Sequence, residues 1–374
     1  MDGTRLVYPI NLAWLWRLLH RNCIRIFEAG MMPGIAYYMS RWYTKSELTF
    51  RISYYIVMGS VGGAVGGLLA SAIFNLDHVG SLHDWRMLFA VEGIITCGLA
   101  VIAFFTLTDR PETAKWLTEE EREFAIARVK AERVGATELL EKMSRKKILR
   151  GIINPVTIPT AFVFLLLNIT VQGLAFFLPT VIKTIYPTHG VVYQQLRTVP
   201  PYAVGSFFTM AFAYLSFRTD KRLLYFIVCA PLVIIGYIMF LASGDQQVRY
   251  GATFLVASGA FIFGALTNSH ASANVVSDTA RSAAIGTNVM FGNIGGLIST
   301  WSFLPFDGPS YPIGNGLNLA TSCTILITSV LLLFWMKRDN KKRDGKNPDA
   351  ELAGLSEEKI NDLDWKHPSF RWRE

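Results

Sequence analysis

Residues 223–243 read LLYFIVCAPLVIIGYIMFLAS, an uncharged block closed on its N-terminal side by the basic run Arg218-Thr219-Asp220-Lys221-Arg222. Wound as an α-helix, the block rises about 30 Å, which is the thickness of the hydrocarbon core of a bilayer. Its apolar residues surround the helix on every side, whereas a water-soluble reading needs them gathered in an amphipathic stripe. The block therefore sets the class of the whole chain: an all-α membrane protein.

Blocks of the same kind recur on both sides of it, at 13–40, 52–74, 86–108, 156–182, 198–217, 250–272, 282–304 and 316–336, so about nine transmembrane helices are expected. The overall balance agrees, with 51% hydrophobic and 17% charged residues, against about 25% charged in an average soluble domain. Gly-rich stretches such as Gly59 to Gly67 fit helices whose backbones approach closely in lipid. The formal charge of +8 comes from Lys and Arg gathered between the blocks and near the C-terminus. Lipid headgroups and the positive-inside rule account for that distribution, and nucleic acid is not an expected partner. Cys23, Cys97, Cys229 and Cys323 all lie inside apolar blocks, with neither metal-ligand nor disulfide spacing. There is no GxxxxGK[ST] phosphate loop and no supported catalytic triad or zinc pattern, so neither an ATP-driven pump nor an enzyme is expected, and no cofactor or metal.

Orientation follows from Lys and Arg in alternate loops. One set of loops carries 24 of these residues and the other carries four, Arg86, Lys183, Arg197 and Arg249. That places the poorer set outside and the C-terminus in the cytosol. An odd number of spans then puts the N-terminus outside, although the leader carries Arg5 and Arg17 and has no signal-peptide pattern. Three spans precede the long central loop and six follow it, the arrangement expected of a transporter of two six-helix halves that lacks its first three helices. The expected organisation is a leader at 1–12, a partial N-terminal bundle at 13–108, a cytosolic central loop at 109–154, a six-helix bundle at 155–336 and a polar, flexible cytosolic tail at 337–374. Thr118 and Glu121 have capping-box spacing and open a charged helix from Glu119 to Arg133.

Several stretches resemble one family in order. Arg21, Glu28, Ala29, Gly30 and Pro33, followed by Tyr38, Ser40, Trp42, Tyr43, Glu47 and Arg51, resemble helix four of the major facilitator superfamily in its anion:cation symporter branch, and more narrowly the fungal allantoate and nicotinate permease group. Further matches are Gly66 to Ala70, WRMLFAVEG at 85–93, Pro111 through Arg122, FLPT at 177–180, LRTVPPY at 196–202, Asn293 to Gly296, and Asp307 to Tyr311 with Gly314. The resemblance implies a major facilitator fold lacking helices 1–3. It also implies that Arg218, Asp220 and Arg222 form the cytosolic gating motif between helices eight and nine. The sequence departs from the family at Arg25, where Gly is usual, and at His270 and Ala273, which replace a Trp and an Asn.

Arg21, Arg25 and Glu28 are spaced four and three apart, so one helix face carries all three. A charge at membrane depth costs at least about 2.5 to 3.5 kcal/mol and is expected to face a cavity or a partner. A guanidinium can grip a carboxylate through two parallel hydrogen bonds, which makes Arg21 the expected anchor of an organic anion. A carboxyl in a poorly solvated place has a raised pKa, which suits Glu28 to proton coupling, a role the resemblance also implies. The competing structural reading is an ion pair that neutralises itself, or an arginine snorkelling to the interface. Glu92 falls within the WRMLFAVEG stretch and is read chiefly as a packing residue. Asn168 and Gln172, one turn apart, with Phe177 after them, lie on the helix that corresponds to cavity-lining helix seven. Asn268 and Asn274 lie on the helix that corresponds to helix ten. These are expected to orient the polar atoms of the solute, with interhelical hydrogen bonding as the alternative.

The function expected is proton-coupled symport of a small carboxylate such as allantoate, nicotinate or a related vitamin, by a monomer in a fungal plasma membrane, with protons and lipid as its other partners. The alternatives are a truncated, non-transporting remnant or gene-model fragment of such a permease, and a nutrient sensor built on a carrier fold.

Overall fold

A computed structural model of the chain describes residues 35, 38–39, 42–43, 45–76, 84–108, 110–114, 116–131, 145–345 and 363–373. Most of the first expected span, with Arg21, Arg25 and Glu28, lies outside the described residues. The rest is helical, and no strand occurs among the described residues.

Seven of the other eight expected spans each coincide with one helix, and the eighth, 250–272, with two in succession. In chain order the helices are α1 (Lys45–Phe74), α2 (Asp84–Thr106), α3 (Glu119–Ala131), α4 (Arg145–Ile152), α5 (Thr157–Ile185), α6 (Val191–Thr219), α7 (Arg222–Ala242), α8 (Gln246–Ala260), α9 (Ile262–Ala273), α10 (Asp278–Ser299) and α11 (Pro312–Asp344). Helices α3 and α4 belong to the expected central loop. Among the described residues, six membrane-crossing candidates satisfy length and hydropathy together: α1, α2, α5, α7, the run of α8 with α9, and α11. Helices α6 and α10 are less apolar, because they carry groups such as Gln194, Gln195 and Arg197 or Asn288 and Asn293. The span expected at 250–272 is divided at Phe261, which keeps helical dihedrals (φ −67°, ψ −28°), so the chain turns little there. Helices α1 and α11 both run past their apolar windows, since an α-helix satisfies its own backbone groups in water as well as in lipid.

The described helices fall into two compact units. One comprises residues 1–48 and 103–135. In it the Thr118 amide donates to Glu121 Oε2 at 3.0 Å and the Glu121 amide donates to Thr118 Oγ1 at 3.4 Å, the reciprocal pair of a capping box. Trp116 stacks on Trp42 at 5.9 Å and donates its indole N–H to Thr108 Oγ1 at 3.1 Å.

The second unit comprises residues 49–102 and 136–374. Helix α5 is its centre and touches α6, α8, α9, α10 and α11. The tightest seam runs between α5 and α10. A Cβ at Gly292 would meet Asn168 Nδ2 at 2.9 Å, and one at Gly295 would strike the carbonyl oxygen of Leu165. Only glycine lets two backbones approach this closely, which is how helices gain packing energy where no hydrophobic force separates them from lipid. Helices α7 and α8 use the same device, for a Cβ at Gly236 would lie 2.6 Å from Val256 Cγ2. On α1, Gly63 faces the Tyr202 ring and Ser60 accepts a 2.9 Å hydrogen bond from Ser206 of α6. Helix α2 carries Phe89, Ile94 and Leu99 exposed on different sides of its circumference, the surface expected of a helix in contact with hydrocarbon.

The tail corrects the sequence reading. Helix α11 continues to Asp344, and residues 363–373 fold back onto it with Trp372 only 3% exposed. Polar composition suggests a flexible segment, but the order comes from contacts with residues far away in sequence.

Candidate functional site

Helix α10 places Asn288, Gly292, Gly295 and Gly296 at spacings of four, three and one, so one face carries them all. The amide-bearing faces of two other helices meet this face. From α9, Asn268 Oδ1 accepts a 2.7 Å hydrogen bond from Asn288 Nδ2, and Asn268 Nδ2 donates to the Gly264 carbonyl of its own helix at 3.1 Å. From α5, Asn168 lies against Gly292 and Gly295, and Gln172 Cγ lies 3.7 Å from the position a Cβ would take at Gly296. Asn168 Nδ2 donates to the Phe164 carbonyl one turn back at 2.9 Å. Asn268 and Asn288 are buried, whereas Asn168 and Gln172 are half-buried and retain access. The buried Oδ1 of Asn288 has no protein partner. This arrangement supplies neutral donors and acceptors on three helices, suited to amide, carbonyl or hydroxyl groups of a small solute.

The remaining expected residues take different places. Phe177 packs on Phe303 at 5.0 Å between ring centres, and Phe303 in turn meets Tyr311 at 5.6 Å. Asn274 is fully buried at the end of α9 and its amide is occupied by main chain: Nδ2 donates to the carbonyls of His270 and Arg373, and Oδ1 accepts from the Arg373 amide. In this conformation the side chain is engaged by the main chain of α9 and of the tail. Glu92 is exposed on α2. Arg21 and Glu28 lie outside the described residues.

The turn between α6 and α7 holds the expected gating motif. Asp220 caps α6 in the left-handed region (φ 51°). Buried Arg222 spans from this turn to α9, since its Nη2 pairs with Asp220 Oδ1 at 2.9 Å and its Nε donates to Ser269 Oγ at 2.8 Å. Arg218 is exposed. His270, one residue beyond Ser269, is fully buried, with its ring edge toward Phe226 and both ring nitrogens without a protein partner. At the opposite end of the bundle, Arg197 lies within 5.5 Å of the ring centres of Tyr186, Tyr193 and Tyr250. Asn288 is a member of the seam that the sequence alone does not single out. Its one signal is an amide in mid-span at 282–304, a residue that membrane helices retain mainly for hydrogen bonding.

A cavity between α5, α7, α9 and α11 is lined by Leu167, Thr170, Phe263, Ser322 and other small or apolar residues. It includes none of the amides and no charged group, which sets it apart from the candidate site. Among the described residues, no cluster of three or more His, Cys, Asp or Glu side chains could hold a metal ion.

Comparison with known proteins agrees with this architecture. Residues 11–300 match the family described as Major Facilitator Superfamily. The chain is 30% identical over 363 residues to the uncharacterized transporter C11D3.18C of Schizosaccharomyces pombe, covering 92% of this chain and 71% of that protein. It is 28% identical to the MFS-type transporter efuF of Hormonema carpetanum, covering 94% and 71%. Among solved structures, the fold is similar to a bacterial homologue of the human lysosomal transporter Spinster in an inward-facing, unoccupied conformation, with a TM-score of 0.53, 15% identity, and 86% and 76% of the two chains covered.

Proposed function

The chain belongs to the Major Facilitator Superfamily, and from that membership we propose that this multi-pass membrane protein is a proton-coupled symporter of a small organic anion of the allantoate or nicotinate kind. The observation that carries the proposal is the convergence of Asn168, Gln172, Asn268 and Asn288 from α5, α9 and α10 on one seam. These amides are neutral. They can orient the polar atoms of a solute, but they leave the recognition of its charge to a residue elsewhere, the role proposed for Arg21. Two parallel N–H···O bonds from its guanidinium would hold the solute carboxylate. Glu28, seven residues further on in the sequence, is proposed to load and release the coupling proton, its pKa raised by poor solvation. Phe177 is proposed to cover the apolar part of the solute.

In the transport cycle, solute and proton together bias two arrangements of the helices, and only their differential binding can shift that balance. Arg218, Asp220 and Arg222 are proposed as the hinge-side gate. The basic loops support a cytosolic side for this gate and for the C-terminus, and the plasma membrane is the proposed location of the monomer.

Uptake of radiolabelled nicotinate and allantoate by cells producing this chain tests the proposal. Accumulation should rise as external pH falls, collapse with a protonophore, and be lost in Arg21→Lys. In Glu28→Gln, exchange of labelled for unlabelled solute should persist while uphill accumulation disappears. Failure of both acids to accumulate, with the protein present at the membrane, rejects the organic-anion assignment.

A further inference from the structure

Two successive residues of the tail are each gripped by the side-chain amide of an asparagine, and the two asparagines come from different helices. Asn340 of α11 accepts from the Trp372 amide at 2.9 Å and donates to the Trp372 carbonyl at 2.9 Å. Asn274, which caps α9, accepts from the Arg373 amide at 2.8 Å and donates to the Arg373 carbonyl at 3.0 Å. Each amide thus behaves as the neighbouring strand of a two-residue ladder. The Trp372 indole N–H donates to Asp339 Oδ2 at 2.7 Å, and its ring is surrounded by Trp335, Trp365 and Phe370 at 4.9 to 5.9 Å. Arg343 braces the assembly: its Nε bonds Asp339 at 2.7 Å, its Nη1 donates to the Trp365 carbonyl at 3.0 Å, and its guanidinium lies 5.4 Å from the Trp372 ring centre. A further tie runs from the Val276 amide to Asp364 Oδ1 at 3.3 Å.

We propose that the segment 363–373 is an intramolecular clasp that holds the α9–α10 corner against the end of α11, and that it regulates how readily this corner moves. Its place supports the idea. The corner is gripped on one side by the tail through Asn274 and Val276, and on the other by Arg222 of the α6–α7 turn through Ser269. The second grip fixes the corner to its own bundle. The first depends on a segment that follows α11 in the chain and is held there by the asparagine and aspartate contacts just described. Chain entropy favours departure, and the hydrogen bonds and the buried Trp372 ring oppose it, so the clasp works as a reversible restraint. Recognition is directed at main chain at both asparagines, and the Arg373 side chain itself remains exposed.

The test is hydrogen–deuterium exchange by mass spectrometry on the full chain in lipid nanodiscs, comparing wild type with Trp372→Ala and with Asn274→Ala. The expected result in Trp372→Ala is exchange faster by about tenfold or more at amides 274–280, with the α5 amides unchanged. Asn274→Ala should speed exchange at 372–373 and at the corner while the α5 amides keep wild-type rates. If the tail amides exchange freely in Trp372→Ala while 274–280 keep wild-type rates, the segment rides on the bundle without restraining it and the proposal is overturned. If α5 and the corner accelerate together in both variants, the segment is a general folding element, which also overturns it.

Discussion

Asn288 donates its side-chain amide to Asn268 across the contact of α10 with α9, at 2.7 Å and with both residues buried. The pair joins a helix that meets the tail to a helix packed on the centre of the bundle. Replacing Asn288 by Ala strands the Asn268 acceptor and should destabilise the protein by about 1 to 2 kcal/mol. A double-mutant cycle with Asn268→Ala, read by thermal unfolding in detergent, should return a coupling of about 0.6 to 2 kcal/mol. A coupling near zero shows the pair to be incidental.

Two glycines on one helix make a controlled comparison. A methyl group added to the Cα of Gly286 on α10 would have nothing within 4 Å, whereas one at Gly295 collides with the Leu165 carbonyl. Gly295→Ala should force the α5–α10 seam apart and lower the yield and melting temperature clearly, at a cost of about 1 to 3 kcal/mol typical of overpacking. Gly286→Ala should be neutral or slightly stabilising, because alanine is the better helix former by about 1 kcal/mol. Equal melting temperatures for the two variants contradict the close approach.

Asp220 occupies the left-handed region at φ 51° and also pairs with Arg222. Asp220→Gly relieves the backbone and removes the carboxylate, whereas Asp220→Asn keeps a short polar side chain that tolerates this conformation but removes the charge. Both should leave the protein folded. If Asp220 acts through its charge in gating, both should reduce uptake several-fold; wild-type uptake in Asp220→Asn confines the residue to shaping the turn.

The capping box on α3 has a pH signature. Hydrogen bonds from the Thr118 backbone amide and then its hydroxyl hold the Glu121 carboxyl below the ordinary range. A depressed carboxyl supports its helix fully above its unfolded-state pKa and withdraws that support as pH falls through the folded-state value. Amide protection in the first turn of α3, corrected for intrinsic exchange, should therefore decline at acid pH in wild type. In Glu121→Gln, where a neutral amide can cap at every pH, the decline should vanish. The same profile in both chains removes Glu121 as the cause.

Periodicity and block length are enough to find α1, α2, α5, α6, α7, α10, α11 and the run of α8 with α9, though not the break at Phe261, because hydrocarbon imposes length and composition on each span independently of the others. Helix ends are harder. Nothing in lipid transfer energies says where α11 stops once it enters water, and it continues to Asp344 beyond the expected 336. The polar seam is half legible. Asn168, Gln172 and Asn268 stand out as amides in apolar surroundings, but their common neighbour, the Asn288–Gly296 face, requires the pairing of three helices. The roles of Asn274 and Trp372 are invisible in the sequence for the same reason. A polar tail looks solvated until the bundle that receives it exists, and Asn274 lies 99 positions from the Arg373 main chain it holds.

Because the two asparagines hold main chain, identity at position 373 is open to drift while spacing is not. Deleting one residue between Trp365 and Trp372 would present a different peptide unit to Asn340 and withdraw the indole from Asp339, although composition would hardly change. In a family of such tails, length should thus be kept more strictly than wording, an unusual inversion for a chain segment this polar.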